Sequence, residues 1–244
     1  MTYLQFHLVF TIPPLVALAL LQRRARGPWW PLGLLVVIAF VYTTPWDNYL
    51  VAREVWTYPV DRVLARIGYV PVEEYAFFVI QTVLTGLWYR LLSARWGRPP
   101  EPAGTAPRVV GTAVFGALAV WGVALCVAGG HGLYLGLILA WACPVLAFMW
   151  GLGGHLIWAR RGLLAAVVLP PTLYLWGADW FAIQDGIWDI TDATRTGIEL
   201  VGLPVEEAIF FFVTNLLVGQ GLIMLEPEAQ PHTVGRLVRR GVPT

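Results

Sequence analysis

Apolar residues run along this chain in stretches of about twenty, broken by short clusters of arginine, acid, glycine and proline. Divided at those breaks, the chain carries apolar spans near 3–21, 29–45, 71–89, 109–128, 133–151, 162–178 and 204–225. Each approaches the roughly 20 residues that an α-helix needs to cross a bilayer, so seven transmembrane helices are predicted. The connecting segments are sided. Arg23, Arg24, Arg26, Arg90, Arg95, Arg98, Arg108, Arg160, Arg161, Arg236, Arg239 and Arg240 fall on one side, and Arg53, Arg62, Arg66 and Arg195 on the other. Basic residues collect on the cytoplasmic face, which predicts an outer N-terminus, a cytoplasmic C-terminus and an uncleaved first helix.

Composition strengthens the membrane reading, since 58% of residues are hydrophobic and 13% charged, against about 25% charged in soluble domains. The net charge of +1 provides no single-sign field to hold a polyanion, so nucleic acid is not expected as a partner. All 16 basic residues are arginine. Without a lysine amine the chain can form neither a retinal Schiff base, nor a pyridoxal aldimine, nor a Walker A phosphate contact. Cys126 and Cys143 lie inside apolar spans without metal or redox spacing. His7 and His155 have no partner at metal spacing and read as hydrogen-bonded or interfacial groups.

The acids sort opposite to the arginines, with 12 of 15 on the outer side or at outer helix ends. Carboxylates contribute little to topology, so this gathering needs another cause. An internal repeat supplies one. Residues 45–81 read PWDNYLVAREVWTYPVDRVLARIGYVPVEEYAFFVIQ, and residues 178–215 read ADWFAIQDGIWDITDATRTGIELVGLPVEEAIFFFVTN. Asp47 aligns with Asp179, Trp56 with Trp188, Gly68 with Gly202, and PVEE at Pro71–Glu74 with PVEE at Pro204–Glu207. The expected architecture is therefore all-α: a polytopic membrane bundle of two parallel three-helix repeats joined by a connecting helix. Its divisions are 1–92, a connector at 93–130 with the fourth span, a second repeat at 131–226, and a cytoplasmic tail at 227–244. An offset of four helices preserves direction, placing both acidic loops on the same side and allowing one shared cleft.

Each PVEE predicts a helix start with proline at the first position and Glu73 or Glu206 at the third. A capping box would need Ser or Thr where Val70 and Leu203 stand. Complementarity with the helix dipole, about 0.3–1 kcal/mol, explains one glutamate per helix more easily than two. Ionisable groups at a membrane boundary are functional candidates by default. Helical spacing puts Glu73, Phe77 and Ile80 on one face and Glu74, Phe78 and Gln81 on the next. A carboxyl that is dry and close to a second carboxyl tends to keep its proton, which makes it a potential acid. Aromatic rings around it suit a carbocation, because ring faces attract a cation and supply no water to quench it. An interfacial belt accounts for most of the 13 tryptophans.

PWDNY, the tryptophan that follows it, GYVPVEEYAFF and GLPVEEAIFFF together resemble the small integral-membrane lycopene cyclases of bacteria and archaea, which occur as two-subunit or fused forms. The likeness covers nearly the whole chain and fits the fused form; it departs where ADWF stands in place of PWDN, so Asp179 carries over by alignment only. The resemblance implies a redox-neutral isomerisation of lycopene to γ-carotene and β-carotene. A carboxylic acid protonates the terminal double bond, a neighbouring double bond attacks the cation, and proton loss closes a β-ionone ring. Glu73, Glu74, Glu206 and Glu207 are the candidate proton donors, with Asp47 and Asp179 as orienting groups or proton acceptors. Trp46, Asn48, Trp56, Tyr75, Phe77, Phe78, Trp180, Trp188, Phe210 and Phe211 are the candidate substrate contacts. The expected partners are a carotenoid, the lipid bilayer and other carotenoid enzymes. No cofactor and no metal are expected: Gly151, Gly153 and Gly154 read as a glycine cluster at a helix end without a preceding strand, a poor match to a flavin or nicotinamide site.

Two rival classes share some of these features. An intramembrane Mg²⁺-dependent prenyltransferase would use Asp179, Asp185, Asp189 and Asp192 around a diphosphate. A proton-coupled transporter would use paired carboxylates in a repeat fold, usually at helices broken mid-membrane.

Overall fold

The computed structural model of the chain describes residues 1–22, 27–97, 101 and 104–225. Arg23, Arg24, Arg26, Arg98, Arg236, Arg239 and Arg240, with the proposed tail, lie outside the described residues. Among the described residues, seven helices long and apolar enough to cross a membrane run in order: α1 Tyr3–Leu21, α2 Trp30–Ala52, α3 Val72–Ser93, α4 Ala106–Ala128, α5 Leu133–Ala159, α6 Arg161–Gln184 and α7 Val205–Leu225. The helices α3 and α7, which begin with the two glutamate pairs, are the most buried. The others surround them.

Several helices run further than the sequence pattern predicts. The second continues past Pro45 to Ala52, so Asp47 stands on a helix and not in a loop. Proline ends helices in water because it withholds an N–H. A bilayer penalises unwinding more, since every freed backbone group must find a partner in the protein. For the same reason α5 passes through Gly151, Gly153 and Gly154, correcting the expected helix end there. A Cβ on Gly154 would lie 2.9 Å from the Cα of Arg108, so this glycine allows close helix packing. Gly122 and Gly136 act alike: a Cβ on Gly122 would sit 2.6 Å from the Ala140 nitrogen, and one on Gly136 2.8 Å from the Cys126 nitrogen. The connecting helix α4 lies flat against α5 through these contacts and is otherwise exposed on the outside of the bundle.

Proline also explains side-chain bonds to helix backbone. Pro14 leaves the Phe10 carbonyl without its helical donor, and the Tyr174 hydroxyl bonds it at 2.6 Å. Pro170 does the same to Ala166, whose carbonyl accepts the Trp88 indole N–H at 2.9 Å.

The loops between α2 and α3 and between α6 and α7 hold six two-residue strands that the apolar pattern does not show. β1 Trp56–Thr57 pairs antiparallel with β4 Asp189–Ile190, tying one repeat's loop to the other's. β2 Arg66–Ile67 and β3 Val70–Pro71 form a hairpin turning at Gly68, and β5 Glu199–Leu200 and β6 Leu203–Pro204 form its counterpart turning at Val201 and Gly202. Gly68, Val201 and Gly202 all have positive φ, the conformation tight hairpin turns demand. The hairpin registers match Gly68 to Val201, one residue from the expected pairing with Gly202. Pro71 is therefore extended, φ −58° and ψ 146°, and precedes the first helical residue, Val72. Each glutamate pair sits one position closer to its helix start than predicted.

Candidate active site

Adjacent residues on a helix point about 100° apart, and that rotation separates the members of each glutamate pair. Glu73 turns back to the loop, where its Oε1 accepts the Leu64 N–H at 2.8 Å. Glu206 does the same with the Thr196 N–H at 2.6 Å. Both secure the loop to the start of the following helix. The Glu73 carbonyl lies 2.9 Å from His7 Nε2, and His7 Nδ1 lies 3.1 Å from Thr11 Oγ1. The wide turn at His7–Thr11 in α1 brings this buried histidine against α3.

Glu74 and Glu207 turn inward instead. With Asp179 they line one small cavity of about 20 Å³, walled by Phe6, Phe77, Leu175, Phe210 and Phe211. Glu74 shares it with Phe77, not with Phe78 as the face assignment has it. All three carboxyls are at most 4% exposed, and aromatic donors meet each one. Glu74 Oε2 accepts the hydroxyls of Tyr3 and Tyr58, the latter at 3.1 Å. Glu207 Oε1 accepts the Tyr134 hydroxyl at 2.5 Å and the Trp56 indole N–H at 3.1 Å. Asp179 Oδ1 accepts the Trp188 indole N–H at 3.0 Å. Burial, and then the neighbouring Glu74, push the Tyr58 phenol well above its ordinary value, so it remains an O–H donor. Asp47 is fully buried nearby and does not line this cavity; neither of its oxygens meets a hydrogen-bond donor among the described residues. The Trp56–Glu207 bond crosses from one repeat to the other, as does the β1–β4 pairing that carries Trp56.

A second space adjoins the first. An apolar groove of about 410 Å³ lies between α2, α3, α5 and α7 and shares Phe77 and Phe210 with the carboxyl cavity. Leu34, Ile38 and Phe148 line it and are exposed at the side of the bundle, so it opens where lipid would be. At its inner end Trp46 stacks on Trp141 at 4.6 Å and on Phe210 at 5.7 Å, and meets Trp56 edge-on at 5.9 Å.

Of the residues expected at the substrate, Trp46, Trp56, Phe77, Phe78, Trp188, Phe210 and Phe211 come together at the cavity, the groove or the stack between them. Asn48, Tyr75 and Trp180 do not. Asn48 bonds the Tyr69 N–H at 3.0 Å and the Tyr75 hydroxyl at 2.9 Å, Tyr75 bonds the Ile67 carbonyl at 3.0 Å, and Trp180 covers Gly202. These three brace the hairpins. The tyrosines on the acids were not among the expected residues. Tyr3 and Tyr134 open their respective repeats at matching positions, a signal that extending the repeat alignment into α1 and α5 would have found. Tyr58 has no such signal, since Ile190 stands in its place. The aspartates of the prenyltransferase reading are dispersed: Asp185 pairs with Arg62 at 3.3 Å, Asp192 with Arg195 at 2.7 Å, and Asp189 lies in β4.

Residues 1–92 and 131–220 match the lycopene cyclase family. The chain belongs to that family. It is 45% identical to a lycopene beta-cyclase of Halobacterium salinarum over 91% of this chain and 95% of that one. It is 39% identical to a bifunctional lycopene cyclase/phytoene synthase of Gibberella fujikuroi, over 96% of this chain and 43% of the fungal protein. A namesake from Podospora anserina is 36% identical, over 99% of this chain and 44% of its own length. The chain thus spans less than half of these fungal relatives. No solved structure matches the chain.

Proposed function

We propose that this membrane enzyme closes the linear ends of lycopene into β-ionone rings, giving γ-carotene and then β-carotene. The observation that carries this reading is the joining of two spaces at Phe77 and Phe210: a lipid-open apolar groove fit for a polyene, and a buried cavity holding Glu74, Glu207 and Asp179. The bilayer delivers the hydrocarbon sideways. One of Glu74 and Glu207 protonates the terminal double bond; the next double bond attacks the tertiary cation, and a second carboxylate takes the ring proton. Atoms and charge balance without any redox step. Tyr3, Tyr58, Tyr134 and Trp56 hold the two glutamates in place. The faces of Trp46, Trp56, Phe77 and Phe210 stabilise the passing cation by up to about 2 kcal/mol per desolvated contact. Asp47 and Asp179 serve as orienting or proton-accepting groups. The N-terminus and the carboxyl cavity face the outer side, and the arginine-rich connections face the cytoplasm.

The test is expression in a lycopene-making host with extraction of the pigments. The native chain converts lycopene to cyclic carotenes, and the double substitution Glu74→Gln/Glu207→Gln leaves lycopene unchanged at equal protein level. Cyclic products from the double variant would refute the mechanism. Unchanged lycopene with the native chain would refute the function.

A further inference from the structure

Contacts between α2 and α3 recur between α6 and α7 at aligned positions, which makes their differences informative. Leu32 packs on Gly86, and Leu164 packs on Gly219 in the same way, a Cβ there lying 3.1 Å from the Leu164 side chain. Tyr42 bonds the Trp141 carbonyl at 2.9 Å, and its counterpart Tyr174 bonds the Phe10 carbonyl at 2.6 Å. Two residues beyond the paired glycines the likeness fails: α3 has Trp88 where α7 has Gly221. Trp88 reaches across to α6, its indole bonding the Ala166 carbonyl that Pro170 leaves without a donor. The residue of α2 matching Pro170 is Ile38, which keeps its own N–H. That side frees no carbonyl for a ring to satisfy, and at Gly221 the flexible Leu35 side chain packs directly on the helix, a Cβ there coming within 2.9 Å of the leucine. Gly221 lines the apolar groove.

The aromatic ends differ as well. Trp46 and Trp141 stack at the carboxyl end of the groove that Gly221 lines, and the matching positions on the Trp88 side hold Ala178 and Phe10. Volume agrees: the groove holds about 410 Å³, within the roughly 300–1,000 Å³ of a small-molecule site.

We infer that the polyene enters and lies on one side only of this internally repeated bundle, in the groove that Gly221 and Leu35 line, and that Trp88 plugs the equivalent interface. Gly221 is a specificity-determining residue, and each visit presents a single chain end to Glu74 and Glu207. The inference rests on the cyclase reading and goes beyond it, because a shared cavity between two repeats would also admit a substrate from both sides.

Two substitutions that fill the groove from opposite walls test it: Gly221→Trp on α7 and Ala39→Trp on α2. Each is made in the native chain, and each again in the Glu74→Gln/Glu207→Gln background, where lycopene retained by the purified, monodisperse protein reports binding without turnover. The expected result is at least a tenfold loss of cyclic carotenes in the first background and a matching loss of retained lycopene in the second. Where Gly221→Trp fails to fold, Ala39→Trp decides. Full cyclisation and undiminished lycopene retention in a folded blocking variant would overturn the one-sided seat and leave the cyclase reading intact. A native chain that forms no cyclic carotene would instead defeat the reading beneath it.

Discussion

Exchanging the four paired glutamates for glutamine, one at a time, separates the two jobs proposed for neighbouring carboxyls. Glutamine keeps the size and one carbonyl oxygen but has no acidic proton. At Glu74 or Glu207 it removes the proposed proton-transfer group from the cavity, and positioned acids or bases contribute about 10²–10⁴-fold in rate. That corresponds to roughly 3–5 kcal/mol of barrier, at about 1.36 kcal/mol per tenfold. At Glu73 the bond lost is different. After Glu73→Gln the amide oxygen can still accept the Leu64 N–H that Glu73 accepts at 2.8 Å, and only the charge assistance disappears. A charged hydrogen bond contributes about 1.5–3 kcal/mol and a neutral one about 0.5–1.5, so this substitution costs about 1 kcal/mol of stability and leaves the rate unchanged. Glu206→Gln, with its Thr196 bond at 2.6 Å, behaves alike. The assay is carotenoid composition over time in a lycopene-making host, normalised to protein by immunoblot, alongside thermal unfolding in detergent. The expected pattern is two inactive, stable variants and two active ones with midpoints about 2–4 °C lower. Equal inactivity of Glu73→Gln and Glu74→Gln at equal protein level would refute the division of roles.

Further outcomes follow from single contacts. Tyr134→Phe keeps the ring packing but removes the 2.5 Å bond to Glu207; about 1.5–3 kcal/mol of positioning should go with it, a rate loss of roughly 10–100-fold at normal protein level, and an unimpaired variant would show that the hydroxyl does not position the acid. Asn215→Leu strips partners from Gln81 at 2.9 Å, Thr85 at 2.5 Å and Thr172 at 3.0 Å deep in the bundle. At about 0.6 kcal/mol for an average bond between membrane helices, unfolding in detergent should register a loss of about 2 kcal/mol, with no change meaning that other donors replace them. Val201 is exposed with φ 55° at the β5–β6 turn, a conformation that costs a β-branched residue about 1–2 kcal/mol. Val201→Asn should therefore raise the unfolding midpoint while leaving pigment conversion unchanged, and a lower midpoint would count against strain at this turn.

What could be read from the chain alone was whatever repeats or alternates along it. Hydrophobic run length determined seven spans, because bilayer thickness sets the length of any helix that crosses it. The doubled PVEE and its upstream aspartates pointed to the acids, because like residues at like spacing survive as pattern whatever the packing. Helix ends were misjudged at Pro45 and Gly151, since the rule that ends a helix in water is overridden where no water can take the freed carbonyl.

All four glutamates are buried, and the tertiary structure alone decided which acid of each pair lines the shared cavity. A one-residue step is a rotation of about 100°, and only the neighbouring helices say which direction is inward. It also supplied Tyr58 and the Trp56–Glu207 bond, for which the sequence carries no periodic signal, because they depend on where a loop of one repeat settles against a helix of the other. The difference between the two sides was already written as Trp88 and Gly221. Its meaning came from the fold, which sets Trp88 on a carbonyl freed by Pro170 and Gly221 beside an open groove.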